Sequence, residues 1–218
     1  LHGRSLPLAM GVKSGRPDLN VVIVAGDGDF LSIGMEHIAP QAQRNLDVCA
    51  VIMDNAVYGL TKGQSSPTTE LGVITPSTPF GKLETALNPL ELYLTLGVSF
   101  IASGFSSQPR PLANLITQGM EHPGFSIVHV QSPCTTYNDT HEQLRGNPRK
   151  GIEPLVWDIT DEHDPHNKDA AYHLARDPRE AIGVLYKDPE SIPFRERVKQ
   201  TQAKLKPTSI EDLIDSFA

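Results

Sequence analysis

The chain has 218 residues, 39% of them apolar and 21% charged, with a formal charge of -7 and 18 Pro and 17 Gly spread along it rather than pooled in one tract. That length supports one substantial domain with an extension and a real hydrophobic core. The acidic balance argues against gripping a nucleic-acid backbone. No apolar run approaches the roughly 20 residues of a membrane helix, and no basic-then-apolar export signal opens the sequence. A cytoplasmic protein with neither nucleic-acid nor membrane partners is expected.

In chain order, His2-Gly3-Arg4 reads as the middle of a working segment, so the natural amino terminus is expected to lie upstream of Leu1. Residues 21–25 and 48–53 are continuous apolar, β-branched-rich runs, the pattern of strands covered on both faces of a parallel sheet. Between them Ile33, Ile38 and Ala42 carry a rough helical spacing, and Pro40 places the start of the regular helix near His37. Residues 90–96 predict a short helix closed by Gly97, followed by a strand over 98–102. Leu112, Leu115, Ile116, Gly119 and Met120 form a helical stripe behind Pro111, and residues 125–130 predict another buried strand. This alternation predicts an α/β fold, an open and mainly parallel sheet with helices on both faces. Beyond about Asn138 the texture changes. Residues 143–169 are polar and turn-rich, and periodic pieces return only at 170–175, 182–186 and 210–217. The expected division is a domain over 1–140 and an extension over 141–218 that packs on it or on a partner subunit.

Two loops follow the first two strands, Gly26-Asp27-Gly28-Asp29 and Asp54-Asn55-Ala56-Val57-Tyr58-Gly59. Both leave the carboxyl ends of parallel strands, where open α/β sheets bind ligands. Gly26 and Gly28 let backbone amides approach phosphate oxygens, while Asp27 and the Asn55 side chain offer hard oxygens of the kind Mg²⁺ takes. The Val57 carbonyl is a third candidate ligand, with diphosphate oxygens and water completing the shell. Gly-Asp-Gly alone is a common turn. Cys49 sits in an apolar run, as a buried free thiol does, and two cysteines exclude a disulfide scaffold.

The pairing of Gly-Asp-Gly with Asn55 after 26 intervening residues resembles the motif of thiamine-diphosphate enzymes. The string from Asn55 through Tyr58-Gly59-Leu60-Thr61-Lys62-Gly63-Gln64 to Ser66-Pro67-Thr68-Thr69 is similar to the signature of 2-oxoacid:ferredoxin oxidoreductase β subunits. Residues 2–13 and Ser132-Pro133-Cys134-Thr135-Thr136 resemble the same family, so that the likeness spans roughly residues 1–140. The resemblance implies that Asp27, Asn55 and the Val57 carbonyl hold Mg²⁺. It implies that Gly26, Gly28, Asp29, Gly59 and Thr61 lie beside the diphosphate of the cofactor, and that Leu60 lies near the thiazolium and substrate. It implies that Cys134 is the fourth thiolate of a 4Fe-4S cluster whose other cysteines belong to an upstream segment. Such a cluster needs four thiolates. The implied reaction is oxidative decarboxylation of a 2-oxoacid to an acyl-coenzyme A, with electrons passed to ferredoxin and an α subunit as partner. The Gly-Leu-Thr-Lys-Gly-Gln form favours 2-oxoglutarate, then pyruvate.

No other catalytic residue is assigned. Lys62 reads as a solvated loop lysine, Tyr58 as a packed aromatic or a site residue with equal force, and Thr68 and Thr69 as turn or helix caps. His2 reads as a structural hydrogen bonder, Glu36 and Glu70 as surface carboxylates, and His163 and His166 as members of an exposed loop. A non-oxidative thiamine decarboxylase or carboligase, or an assembly module without turnover, shares the Asp27 and Asn55 logic.

Overall fold

The computed structural model describes residues 2–205 and 208–217. Six strands form one sheet. Helix α1 (Ser5–Gly15) leads into β1 (Val22–Gly26), and a wide helical turn over Asp29–Ile33 precedes α2 (Ile38–Arg44) and β2 (Val48–Asp54). The short strands β3 (Val57–Tyr58) and β4 (Gln64–Ser65) pair as a separate antiparallel ribbon. After them come α3 (Pro89–Leu96), β5 (Phe100–Phe105), α4 (Pro109–Glu121) and β6 (Phe125–Gln131). The remainder runs α5 (His141–Arg145), β7 (Val156–Asp158), α6 (Lys168–Ala175), β8 (Glu180–Lys187), α7 (Phe194–Gln202) and α8 (Ile210–Asp215).

The strand order is β1-β2-β6-β5-β8-β7, parallel throughout except that β8 runs antiparallel to β5. Alternate residues of each central strand face opposite layers. Ala50 and Ile52 join the core with Leu6, Ile38, Tyr93 and Leu94, the layer of α1, α2, α3 and α6. Cys49 and Val51 join Phe100, Val128 and Leu115, the layer of α4. Each fully buried aliphatic chain here contributes about 2 kcal/mol of transfer free energy. Among the described residues no helix is long and apolar enough to cross a membrane.

Local chemistry sets most boundaries. In α3 the Asn88 side chain accepts the Glu91 amide at 3.1 Å, Pro89 opens the first turn, and Gly97 closes the helix in the left-handed region at φ 80°. Pro109 and Pro111 both fall in the first turn of α4, so that helix starts two residues before the expected Pro111. Strand β5 occupies 100–105 rather than 98–102. Ser103 and Gly104, beyond the expected end, are both buried, and Gly104 leaves the room that Leu112 of α4 fills. Strand β7 falls inside the polar stretch 143–169, and β7 and β8 widen the same sheet that carries β1 and β2.

Candidate cofactor site

The carboxyl ends of β1 and β2 are neighbours, with Gly26 opposite Met53 in register. Their loops therefore emerge side by side, and three contacts tie them together. The Tyr58 hydroxyl donates to the Gly28 carbonyl at 3.0 Å, and the Asn55 amide lies 3.5 Å from Asp27 Oδ1. Thr68 Oγ1 stands 3.0 Å from Asp27 Oδ2 and 2.8 Å from Asp54 Oδ1. Gly28 is required by this closeness, because a Cβ there would stand 2.3 Å from the Tyr58 ring.

The second loop is shaped for ligation. Asn55 Oδ1 accepts the Val57 amide at 3.1 Å, and Asp54 Oδ1 accepts the Ala56 amide at 2.9 Å. Ala56 is held at φ 56°, a left-handed conformation that costs a non-glycine residue roughly 1 kcal/mol. Thr69 Oγ1 donates to the Ala56 carbonyl, and Asn138 Nδ2 donates to the Asn55 carbonyl at 2.9 Å. Lys62, at φ 77°, is a second strained position, and its side chain is exposed as expected.

Asp27 is buried at 1% exposure, and desolvation together with the charge of Asp54 pushes its pKa up to about 6. Asp54 is also buried, but His129 Nε2 at 3.0 Å and its other donors outweigh desolvation and hold its carboxyl below the usual range. Two carboxylates packed together in a dry crevice suit a divalent cation. Asp27, Asn55 and the Val57 carbonyl fit Mg²⁺ as a donor set of three oxygens, and glycine-rich amides beside them fit a diphosphate. Among the described residues no three His, Cys, Asp or Glu side chains gather into a metal set of their own.

A cavity of about 960 Å³ adjoins these loops, lined among others by Asp54, Asn55, Thr68, His129, Gln131 and Glu180. That is the size range of small-molecule sites. Glu180, whose carboxylate accepts Gln131 Nε2 at 3.1 Å, has its pKa raised by burial.

The remaining candidates fall around this centre. Asp29 Oδ1 is taken by the Gly3 amide and His2 Nδ1, both at 2.7 Å, so His2 pins the amino-terminal turn. Thr61 bonds Gln64, and Leu60 is fully exposed at the loop tip. A Cβ at Gly59 would lie 3.7 Å from Cys134 Sγ, which puts the half-buried Cys134 beside the cofactor loop. Cys49 is in the core, so the described residues supply one thiol here and do not fit a four-thiolate cluster by themselves. His163 Nε2 and His166 Nδ1 lie 2.7 and 2.8 Å from carbonyl oxygens of β8. Sequence reasoning missed Asp54 and His129, and took Thr68 for a cap. Asp54 was visible beside Asn55; nothing local marked His129, which is 75 residues from its partner.

The family described as thiamine pyrophosphate enzyme, C-terminal TPP binding domain, matches residues 1–130, so the fold and paired loops define a thiamine-diphosphate enzyme class. The family formed by the carboxyl-terminal regions of pyruvate ferredoxin oxidoreductase β subunits matches residues 134–203. The 2-oxoacid:ferredoxin oxidoreductase subunit β of Saccharolobus solfataricus is 33% identical over 207 residues, covering 92% of this chain and 68% of the relative. The 2-oxoglutarate synthase subunit KorB of Archaeoglobus fulgidus is 40% identical over 154 residues, covering 68% of this chain and 58% of that one. A solved 2-oxoglutarate:ferredoxin oxidoreductase from Magnetococcus marinus, with 2-oxoglutarate, coenzyme A and succinyl-CoA bound, superimposes with a TM-score of 0.89 at 37% identity, covering all of this chain and 74% of that one. The chain belongs to the 2-oxoacid:ferredoxin oxidoreductase β subunits, a family of oxidoreductases.

Proposed function

We propose that this β subunit binds thiamine diphosphate through Mg²⁺ held by Asp27, Asn55 and the Val57 carbonyl, and serves the oxidative decarboxylation of 2-oxoglutarate in the cytoplasm. The observation that carries this reading is the buried Asp27 facing Asn55 across two loops tied by Tyr58 and Thr68. When bound, the cofactor supplies a carbon nucleophile and an electron sink for loss of carbon dioxide. The chain's own residues do the holding. Gly26, Gly28 and Gly59 would let the backbone approach the diphosphate, Asp29 and Thr61 would flank it, and the Asp27 carboxylate would take the cation. Exposed Leu60 stands ready for the substrate side. Cys134 is assigned as one of four cluster thiolates, the others coming from outside this sequence. An α subunit, coenzyme A and ferredoxin complete the system. The names of the Archaeoglobus and Magnetococcus relatives support 2-oxoglutarate over pyruvate.

Calorimetry with thiamine diphosphate and Mg²⁺ tests the core of this reading: binding that needs both is expected, and absence of any cofactor heat would overturn it. Reduction of ferredoxin by the assembled enzyme, compared between 2-oxoglutarate and pyruvate, tests the substrate. Faster turnover of pyruvate, or a carboligation product without reduced ferredoxin, rejects the assignment.

A further inference from the structure

A buried hydrogen-bonded chain runs from helix α3 to the cofactor loops: Tyr93, His129, Asp54, Thr68, Asp27. Tyr93 and His129 are fully buried, and the Tyr93 hydroxyl lies 3.4 Å from His129 Nδ1. As a carboxylate Asp54 accepts, so the His129 ring presents a proton to it from Nε2, while Nδ1 faces the Tyr93 hydroxyl. Asp54 is thereby supplied on both oxygens without help from Thr68, by His129 on Oδ2 and by the Ala56 amide on Oδ1. A hydroxyl has one proton to give. Thr68 Oγ1 stands 2.8 Å from Asp54 Oδ1 and 3.0 Å from Asp27 Oδ2, and because Asp54 has two other donors the proton can serve Asp27, on which the Ser66 side chain also acts, while Asp27 Oδ1 has the long 3.5 Å contact from the Asn55 amide. One oxygen of Asp27 is thus held and the other is left facing Asn55.

We propose that Thr68, braced by Asp54 and His129, is a positioning residue that fixes the Asp27 carboxylate in the rotamer that binds the cation. Thr68 itself touches neither cation nor cofactor in this scheme. The inference rests on the proposed Mg²⁺ site and adds to it the residues that orient its acidic ligand. Groups that orient a metal ligand change metal affinity by about 10- to 100-fold when removed. The rest of the Thr68 surroundings fits the role. Ser66 Oγ stands 3.3 Å from Thr68 Oγ1, and the buried Lys82 ammonium donates to the carbonyls of Thr69 at 2.7 Å and Pro67 at 3.3 Å. Those bonds lock the backbone on both sides of Thr68, so the hydroxyl is presented at a fixed place.

The test is an Mg²⁺ titration of the whole protein at saturating thiamine diphosphate, followed by calorimetry, with a thermal melt for each variant. Thr68→Val keeps the shape and removes the hydroxyl; it should weaken Mg²⁺ by about 10-fold or more with Tm nearly unchanged, and Thr68→Ser should restore most of the affinity. An Mg²⁺ affinity for Thr68→Val within twofold of the parent overturns the proposal, as does a serine variant no better than valine. Should Thr68→Val melt early, Thr68→Ala against Thr68→Ser gives the same comparison. Failure of the parent to bind cofactor at all sinks the proposed function instead, so the two failures are told apart.

Discussion

The two ends of the same mainly parallel sheet are built on opposite terms. At the amino ends of β5 and β6, Asn45 is saturated. Its Oδ1 accepts from Ser99 Oγ at 2.7 Å and the Phe125 amide at 2.8 Å, and its Nδ2 donates to Ser191 Oγ at 2.8 Å and the Ile192 carbonyl at 3.0 Å. Nearby, buried Lys13 bonds Asp47 at 2.8 Å and the Leu19 carbonyl at 2.9 Å. At the carboxyl ends of β1 and β2, by contrast, two carboxylates are buried together, Ala56 is backbone-strained and Leu60 is bare. One end closes the chain on itself; the other holds back stability that a ligand can supply.

The severest challenge to this contrast is Asp27→Asn. Removing the charge should weaken Mg²⁺-dependent cofactor binding by at least about 100-fold while raising Tm by a few degrees, because the repulsion with Asp54 disappears. A variant that still binds, or that melts well below the parent, would show that Asp27 is a structural carboxylate.

Next in size is Asn45→Ala. It leaves the Phe125 amide and the Ile192 carbonyl without their side-chain partner, and puts a less tolerant residue at φ 54°. The loss should be roughly 3 kcal/mol, read as a fall of about 10 °C in Tm, with Mg²⁺ affinity unchanged in protein that remains folded. Equal damage to both readouts would mean the two ends are not independent.

Smaller still is a pH dependence at the closed end. His122 is buried, and desolvation, then the charge of Lys187, lower its pKa to about 4, with Asp188 and Asp47 pulling the other way. Its Nε2 faces Ser99 Oγ at 2.9 Å. The folded protein thus keeps the ring neutral while the unfolded chain takes up a proton below about 6.5. Stability from this group is full above that value and falls as the pH drops toward 4. Between pH 7 and 5 the parent should lose about 3 °C more in Tm than His122→Asn; parallel melting curves would remove His122 from the account.

Much of this architecture was legible in the sequence because its signals are local. The apolar runs marked β1, β2 and β6, Gly97 marked the end of α3, and Pro40 placed the start of α2 within a residue. The turn over Asp29–Ile33 escaped, since its apolar residues fit an ordinary helix equally well. Strand β7 escaped because its three residues are only half-buried or exposed, and pairing with β8 defines it rather than hydrophobicity. At the site, Asp27 and Asn55 announced themselves by loop composition. The roles of Asp54, Thr68 and His129 depend on register between β2 and β6, where Ile52 lies opposite His129, and no short-range pattern encodes that.

The two thiols end up with unequal reactivity. Only the thiolate attacks electrophiles. Cys49 lies under Gly119, whose missing Cβ would stand 3.1 Å from its sulfur, and burial pushes its pKa up to about 11. A maleimide dye offered to these 218 residues will therefore attach at Cys134, within a few ångströms of Gly59. These 218 residues thus carry a labelling position of their own, from which fluorescence can follow events in the neighbouring crevice.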